Sequence, residues 1–401
     1  MVDRAARRRA SLHASALFVA LFGFAGAHLA FWPLWLTDWG LTASEAGAYT
    51  AIGIAARIVS GSIIPVIADR LAARRLAVFF SGTAAAGLFL FHGWVETREG
   101  LLAVTMLAVG FSAGIFPLGE ALGATAAQRF GFAFGPARAA GSAAFLGASI
   151  AVGYLITEYG IDSLRWWVAA ACLLVAISAL GHPGGGAKID RPRFADIGRL
   201  CTRRVVLLFG FAVAAGQASH AVLYALGSIH WRALGSSEAF IGWLWGASSL
   251  VEILLLTVAG TWAVRKLGPT GAVMLGGALG IVRWTAMCFD PSGVLLLAPQ
   301  TLHAATFGLT HLGMIAFISE RLPERFSGSA QALMTQFVGG LFFAGGIALA
   351  SWSYPSLGGA TYMIGAFLSG LSFVICLVLI RSPDGQSGKI IVSSGPDAAI
   401  P

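Results

Sequence analysis

The 401-residue chain is short of charge. Asp, Glu, Lys and Arg make up 11% of it, against about a quarter of an ordinary soluble protein. That shortage excludes a normal solvated surface, which draws roughly 25–35% of its residues from these four types. Cysteine is scarce as well. Cys172, Cys201, Cys288 and Cys376 lie in apolar segments or in a basic loop, at spacings that fit neither a disulfide framework nor a zinc site. Catalytic signatures are missing too: there is no H-E-x-x-H, no Ser/Lys or paired-Asp constellation and no Gly-rich phosphate loop. The sequence therefore gives no support to a membrane enzyme and implies no cofactor and no metal. A net charge of +8 would suit nucleic acid if it formed one patch. The positives fall instead in alternate loops, which argues against that partner.

What the chain has in abundance is apolar length. Hydrophobic residues make up 57% and the mean hydropathy is +0.80. Fifty-two glycines in such a chain suit closely packed helices. A helix needs roughly 20 apolar residues to cross the hydrocarbon. Twelve segments qualify, at 12–36, 45–68, 76–95, 101–124, 137–157, 164–181, 205–230, 239–263, 270–289, 294–318, 328–352 and 359–381. The expected fold class is an all-α membrane protein of twelve transmembrane helices in two six-helix repeats. Residues 1–181 form the first bundle, 182–204 a polar linker, 205–381 the second bundle and 382–401 a disordered tail rich in Gly, Ser and Pro. Arg4, Arg7, Arg8 and Arg9 before the first apolar run imitate a signal peptide, but the run continues to Trp35 without a convincing cleavage site. Lys and Arg number twenty on the side of the termini and even loops, against three (Arg98, Arg165, Arg232) on the other. Positive charge stays inside, so both termini are expected in the cytoplasm of a multi-pass bacterial inner-membrane protein. The protein is expected to be a monomer in the lipid bilayer.

Five charges stand where hydrocarbon should be: Arg57, Glu120, Arg138, Glu252 and Arg283. His28, His220, His303 and His311 are also at membrane depth. Each central charge costs roughly 2.5–3.5 kcal/mol on insertion scales. They must therefore face one another or water. Glu120 ends one apolar segment and Arg138 begins the next, so a helical hairpin brings them together. Three arginines against two glutamates leave one positive charge over, which suits an anionic solute better than a helix-packing role. Trp32, Trp35, Trp243 and Trp245 lie near the outer ends of their helices, where an interfacial aromatic belt is expected, and Trp35 is assigned to it. Phe31, Trp32 and Phe145 are alternatively placed to stack on a substrate ring. His220 and His311 are read as core histidines bonded across helices. Glu96, Glu99, Glu158, Asp162 and Glu238 are read as solvated outer-loop residues.

Resemblances follow from these segments. G-L-T-A-S-E-A-G-A-Y (40–49) is echoed by G-S-S-E-A-F-I-G-W (235–243), and the turn at Arg129 by E-R-L-P-E-R-F-S-G-S (320–329). Two parallel six-helix repeats resemble the major facilitator superfamily. P-V-I-A-D-R-L-A-A-R-R (65–75) is similar to that superfamily's cytoplasmic signature, which implies a gate at Asp69, Arg70 and Arg74. Pro65 stands where the family has Gly. F-G-P-A-R-A-A-G-S (134–142) with Glu120, A-H-L-A-F-W-P-L-W-L-T-D (27–38), Glu252, Arg283 and His303 resemble the lactose permease family of oligosaccharide:proton symporters. That resemblance implies substrate binding at Glu120 and Arg138, with proton coupling at Glu252, Arg283 and His303. That family's main proton-carrying carboxylate is replaced here by Thr306. H-A-V-L-Y-A-L-G-S-I-H-W (220–231), W-L-W-G-A-S-S-L-V-E (243–252) and L-H-A-A-T-F-G-L-T-H-L (302–312) resemble the phenylpropionate permease family over about residues 15–381.

The expectation is a proton-coupled symporter that takes up a small organic solute, such as an aromatic monocarboxylate, by alternating access. Glu120, Arg138, Phe145, Phe31, Trp32 and Arg57 would bind the small-molecule substrate. Glu252, Arg283 and His303 would couple its movement to protons. A neutral sugar or nucleoside symporter and a non-transporting membrane sensor are the alternatives.

Overall fold

The apolar runs fold as helices because a backbone in hydrocarbon must satisfy its own N–H and C=O groups. The structure, a computed structural model, describes residues 3–185 and 194–382. Within them it holds helices and turns, with no strand. The first six crossings are α1 (Arg4–Asp38), α2 (Ala43–Arg70), α3 (Arg74–Phe91), α4 (Arg98–Phe130), α5 (Phe134–Tyr159) and α6 (Ser163–Leu180). The stretch read as a plain linker contains a short helix, α7 (Phe194–Cys201). Its Leu200 is fully buried beside Val206 and Phe326. Apart from Ser382, the tail expected to be disordered lies outside the described residues.

The second half runs α8 (Arg204–Ala233), then a 50-residue helical stretch (Glu238–Met287), α11 (Gly293–Arg321) and a 58-residue stretch (Glu324–Arg381). At 1.5 Å per residue the two long stretches would measure about 75 and 87 Å, far more than a hydrocarbon core of about 30 Å. Each is therefore two crossings. Gly268, at φ 70°, breaks the first ahead of Pro269, and Gly358, at φ 51°, breaks the second. The ten long apolar stretches thus make twelve crossings, with 238–267 and 269–287 as α9 and α10, and 324–357 and 358–381 as α12 and α13.

The two echoed segments are the same device used twice. Gly40 (φ 116°) and Gly235 (φ 87°) turn the chain in the left-handed region. Thr42 and Ser237 then cap the next helix by accepting from the backbone N–H of Glu45 and Phe240. Pro65 does not reshape the 65–75 signature, because it lies inside α2. The turn comes later, at Leu71–Ala73, with Ala72 at φ 49°.

In the first six helices α1 packs on α5 and α6, α2 on α4, and α3 on α4 and α6. In the last six α10 packs on α11 and α13, and α8 on α12 and α13. The two most extensive contacts between the halves are α5 with α9 and α2 with α12, and the outer part of α8 also touches α1 and α2. The first depends on missing side chains. A Cβ on Gly153 would lie 2.5 Å from the Glu238 carbonyl oxygen, and one on Gly242 2.4 Å from that of Ser149. Polar links reinforce the junction at the end away from the termini. Arg232 donates to Asp38 at 2.6 Å across the halves and to Glu238 at 2.8 Å, Ser44 donates to the Ser351 carbonyl, and Thr157 accepts from the Ala239 N–H.

Candidate functional site

The helices bring the expected charges to one interior face. Arg138, in the first turns of α5, donates through Nε to Glu120 Oε1 on α4 at 2.7 Å. Its guanidinium lies 4.0 Å from the ring centre of Phe22 on α1. The two side chains keep 33% and 39% of their exposure in mid-span. Arg138 also lies within electrostatic range of Glu252 and His311 in the other half. A membrane protein carries such charges at tolerable cost when they pair and face the bundle interior, and the side of this pair that looks toward the opposite bundle is the cleft side of the first half.

Across the cleft, Arg283 on α10 is completely buried. Its Nη1 has Thr306 Oγ1 at 2.9 Å, His220 Nε2 at 3.1 Å and His303 Nδ1 at 3.2 Å, and its Nη2 donates to Gln300 Oε1 at 3.0 Å. Arg has donors only, so a histidine nitrogen that bonds it accepts, and the two N–H groups of Nη1 are shared among these three neighbours. His303 therefore carries its proton on Nε2, which points at Glu252 Oε2 3.5 Å away. His220 carries its proton on Nδ1, which bonds the Gln217 carbonyl at 3.1 Å. The result is a line from Glu252 through the His303 imidazole to Arg283. Every group touching the guanidinium is neutral, and its Nε has no partner among the described residues.

This cluster sits on irregular helix. Single π-turns occupy 223–227 in α8, 255–259 in α9, 304–309 in α11 and 333–338 in α12. Glu252 lies three residues before one and His303 directly before another. Such bulges add a residue to a turn and re-aim side chains, and they collect at functional sites.

Arg57 of α2 is exposed and lies within electrostatic range of His28 and Tyr224. The remaining expected residues are placed differently. Phe31 is fully buried and Trp32 is 3% exposed. Trp32 is boxed by His28, Trp35, Phe89 and His92, at ring separations of 4.9–5.5 Å, inside the first half. In this conformation neither presents surface to the cleft. Phe145 is half-buried on α5. Trp35 corrects the belt assignment: it is 3% exposed and donates its indole N–H to Asp162 at 3.1 Å. Trp245 is likewise buried, donating to Ser228, while Trp243 is half exposed. Glu238 is drawn into the Arg232 link rather than left free in solvent. At the gate motif Asp69 pairs with a nearly buried Arg74, and Arg70 is exposed.

A second hollow of about 240 Å³ opens at the end away from the termini, lined by Trp35, Trp39, Asp38, His92, Asp162 and Arg165. Burial alone would raise the Asp162 carboxyl, but hydrogen bonds from Arg165 and Trp35 outweigh it and hold the group below the usual range. His92 bonds the Leu88 carbonyl and Thr105, and Trp39 bonds the Val95 carbonyl. With these groups already partnered, the hollow reads as a braced surface. Among the described residues no group of His, Cys, Asp and Glu could hold a metal.

Sequence reasoning placed His220 and His311 as histidines bonded across helices; His220 is, whereas His311 is half-buried with no hydrogen bond among the described residues and stacks on Phe307 of its own helix. That reasoning missed Gln300 and Thr306 as partners of Arg283. The available signal was a membrane-depth Arg without an acid close enough to neutralise it, which requires neutral acceptors nearby.

Known proteins share this architecture. A sequence model described as "MFS_1 like family" matches residues 12–373. The chain is 28% identical over 346 residues to a "Probable 3-phenylpropionic acid transporter" of Escherichia coli (strain K12), covering 81% of this chain and 89% of that one. Among solved structures it is similar to the nucleoside transporter NupG, with TM-score 0.76 and 15% identity over 92% of this chain and 98% of that one. It is also similar to the inward-open xylose transporter XylE from E. coli, with TM-score 0.65 and 16% identity over 94% and 96%.

Proposed function

Since the chain belongs to the MFS_1 like family and is a multi-pass membrane transporter of the major facilitator kind, we propose that it is a proton-coupled symporter of an aromatic monocarboxylate. The substrate would be an acid of the phenylpropionate type, taken up across a bacterial inner membrane by a monomer with both termini in the cytoplasm. The bundles 1–181 and 205–381 would rock about the cleft to open it to each side in turn.

What carries this reading is the charge count at the cleft. Glu120 and Arg138 cancel each other. Arg57 and Arg283 are then left at membrane depth with one further acid, Glu252, which lies beside His303. When Glu252 takes a proton the surplus grows to two positive charges, and a monoanion is attracted at the moment the proton arrives. His303 is placed to register the change, since its Nε2–H faces Glu252 and its Nδ1 faces Arg283. The 28% identical relative supports the same substrate class.

One observation favours a neutral sugar or nucleoside instead. Glu120 is a partly exposed carboxylate on the cleft wall, suited to accept hydroxyl protons. Counterflow in proteoliposomes separates the readings. Aromatic monocarboxylates are expected to exchange, while their uncharged amides, sugars and nucleosides do not. Exchange of a sugar or nucleoside without the acids would overturn the proposal.

A further inference from the structure

The three arginines at membrane depth are not equivalent. Arg138 is held by Glu120 at 2.7 Å and lies over Phe22. Arg283 is fully enclosed, and its bonded nitrogens are spent on Thr306, His220, His303 and Gln300. Arg57 alone of the three is exposed, and among the described residues it has no ion pair and no side-chain hydrogen bond.

The helix face settles where it points. Ile52, Val59, Ile63 and Ile67 are the exposed apolar stripe of α2 and mark its lipid side. At 100° per residue Arg57 falls on the other side of the helix. Its neighbour Ile58 lies against Gly340 of α12, in the other half. Arg57 also lies within electrostatic range of Tyr224 on α8. Tyr224 stands in the π-turn 223–227, which packs against α2. Its ring meets Trp245 at 5.2 Å and Phe343 at 5.6 Å, edge to face. The hydroxyl has no hydrogen-bond partner among the described residues.

We propose that Arg57 is the residue that takes the substrate's carboxylate, with the Tyr224 hydroxyl closing on the same carboxylate from the opposite half. The inference deepens the monocarboxylate reading above and rests on it. A guanidinium fork offers two parallel N–H donors to one carboxylate, and a phenol adds a third donor. The aromatic rings around Tyr224 give the acid's apolar body a wall. Because the two donors belong to different halves, the anion ties the bundles together as it binds. The partly exposed Glu120–Arg138 pair then contributes shape and a neutral polar edge, with its charges already satisfied.

The test is equilibrium binding to purified full-length protein of benzoate, phenylacetate, 3-phenylpropionate and cinnamate, each beside its amide. Wild type is expected to prefer at least one acid over its amide by tenfold or more. Arg57→Gln should bring that acid down to the affinity of the amide, with amide binding unchanged. Arg57→Lys should keep part of the preference, and Tyr224→Phe should lose about threefold to tenfold for the acid only. A merely structural role would lower acid and amide together. If wild type prefers the acid and Arg57→Gln keeps the full preference, the carboxylate is held elsewhere and the assignment fails while the monocarboxylate reading stands. If wild type shows no preference or binds none of the acids, both fall. Should Arg57→Gln not fold, the acid-to-amide ratios of Arg57→Lys and Tyr224→Phe decide, and an unchanged ratio in both overturns the assignment.

Discussion

At the scale of single residues, what hydropathy makes expensive was legible and what it makes cheap was not. Glu120, Arg138, Glu252 and Arg283 each break an apolar run at a cost of a few kcal/mol, so each announces itself in the sequence. Gln300 and Thr306 are neutral and carry little cost, yet both bond the Arg283 guanidinium. Phe31 and Trp32 show the limit of proximity in sequence. They are aromatic and near the charges in sequence, but both are buried in this conformation, Trp32 among rings of the first half. Two residue-scale outcomes follow. Glu120→Ala and Arg138→Ala each strand a partner facing the cleft, and uptake should fall at least tenfold with expression and insertion preserved, as read by transport per unit of purified protein. Uptake at wild-type rates would make the pair structural. Glu252→Gln keeps an oxygen for the His303 Nε2–H but cannot be protonated. Accumulation driven by a pH gradient should be lost while substrate counterflow, which needs no net proton movement, persists. Accumulation in the mutant would move the proton site to another group.

At the scale of elements, the twelve crossings were legible because length and apolarity are properties of a stretch, although α1 begins at Arg4 rather than 12 and α4 ends at Phe130 rather than 124. The breaks at Gly268 and Gly358 fell inside the expected gaps for the same reason. The four π-turns could not be read. A π-turn costs one misaligned hydrogen bond and changes no composition, so nothing in the pattern marks it. Short α7 was hidden because its residues are polar enough to pass for loop. The contact of α5 with α9 was only hinted at by the glycine content. Its dependence on Gly153 and Gly242 gives an element-scale outcome. Gly242→Ala puts a methyl group 2.4 Å from the Ser149 carbonyl oxygen, a distance the backbone cannot tolerate. Each bundle keeps its own core, so the protein should fold, but the closed end should be forced apart. Spin labels placed across that end, one on each half, should report a longer distance in the mutant than in wild type. An unchanged distance distribution would show that the helices adjust locally and that the glycine approach does not set the closed state.

At the scale of the whole molecule, the charge that proton and substrate carry together fixes how transport answers to voltage. If Glu252 delivers one proton and the substrate is a monoanion, the pair moves no net charge. If the substrate is a neutral sugar or nucleoside, the same proton carries one positive charge across. Moving one charge through 100 mV is worth about 2.3 kcal/mol, which at 1.4 kcal/mol per decade is close to a fiftyfold difference in accumulation. The two cases therefore separate in a single experiment on the intact protein. In proteoliposomes with a fixed pH gradient, a potassium diffusion potential of about 100 mV set by valinomycin, negative inside, should leave the accumulation ratio of an aromatic acid unchanged. Collapse of the pH gradient should abolish that accumulation. A rise of tens of fold with the potential would mean that positive charge moves with the substrate, and the cleft would then be serving a neutral solute, with Glu120 among its hydroxyl acceptors and the arginine surplus held for packing.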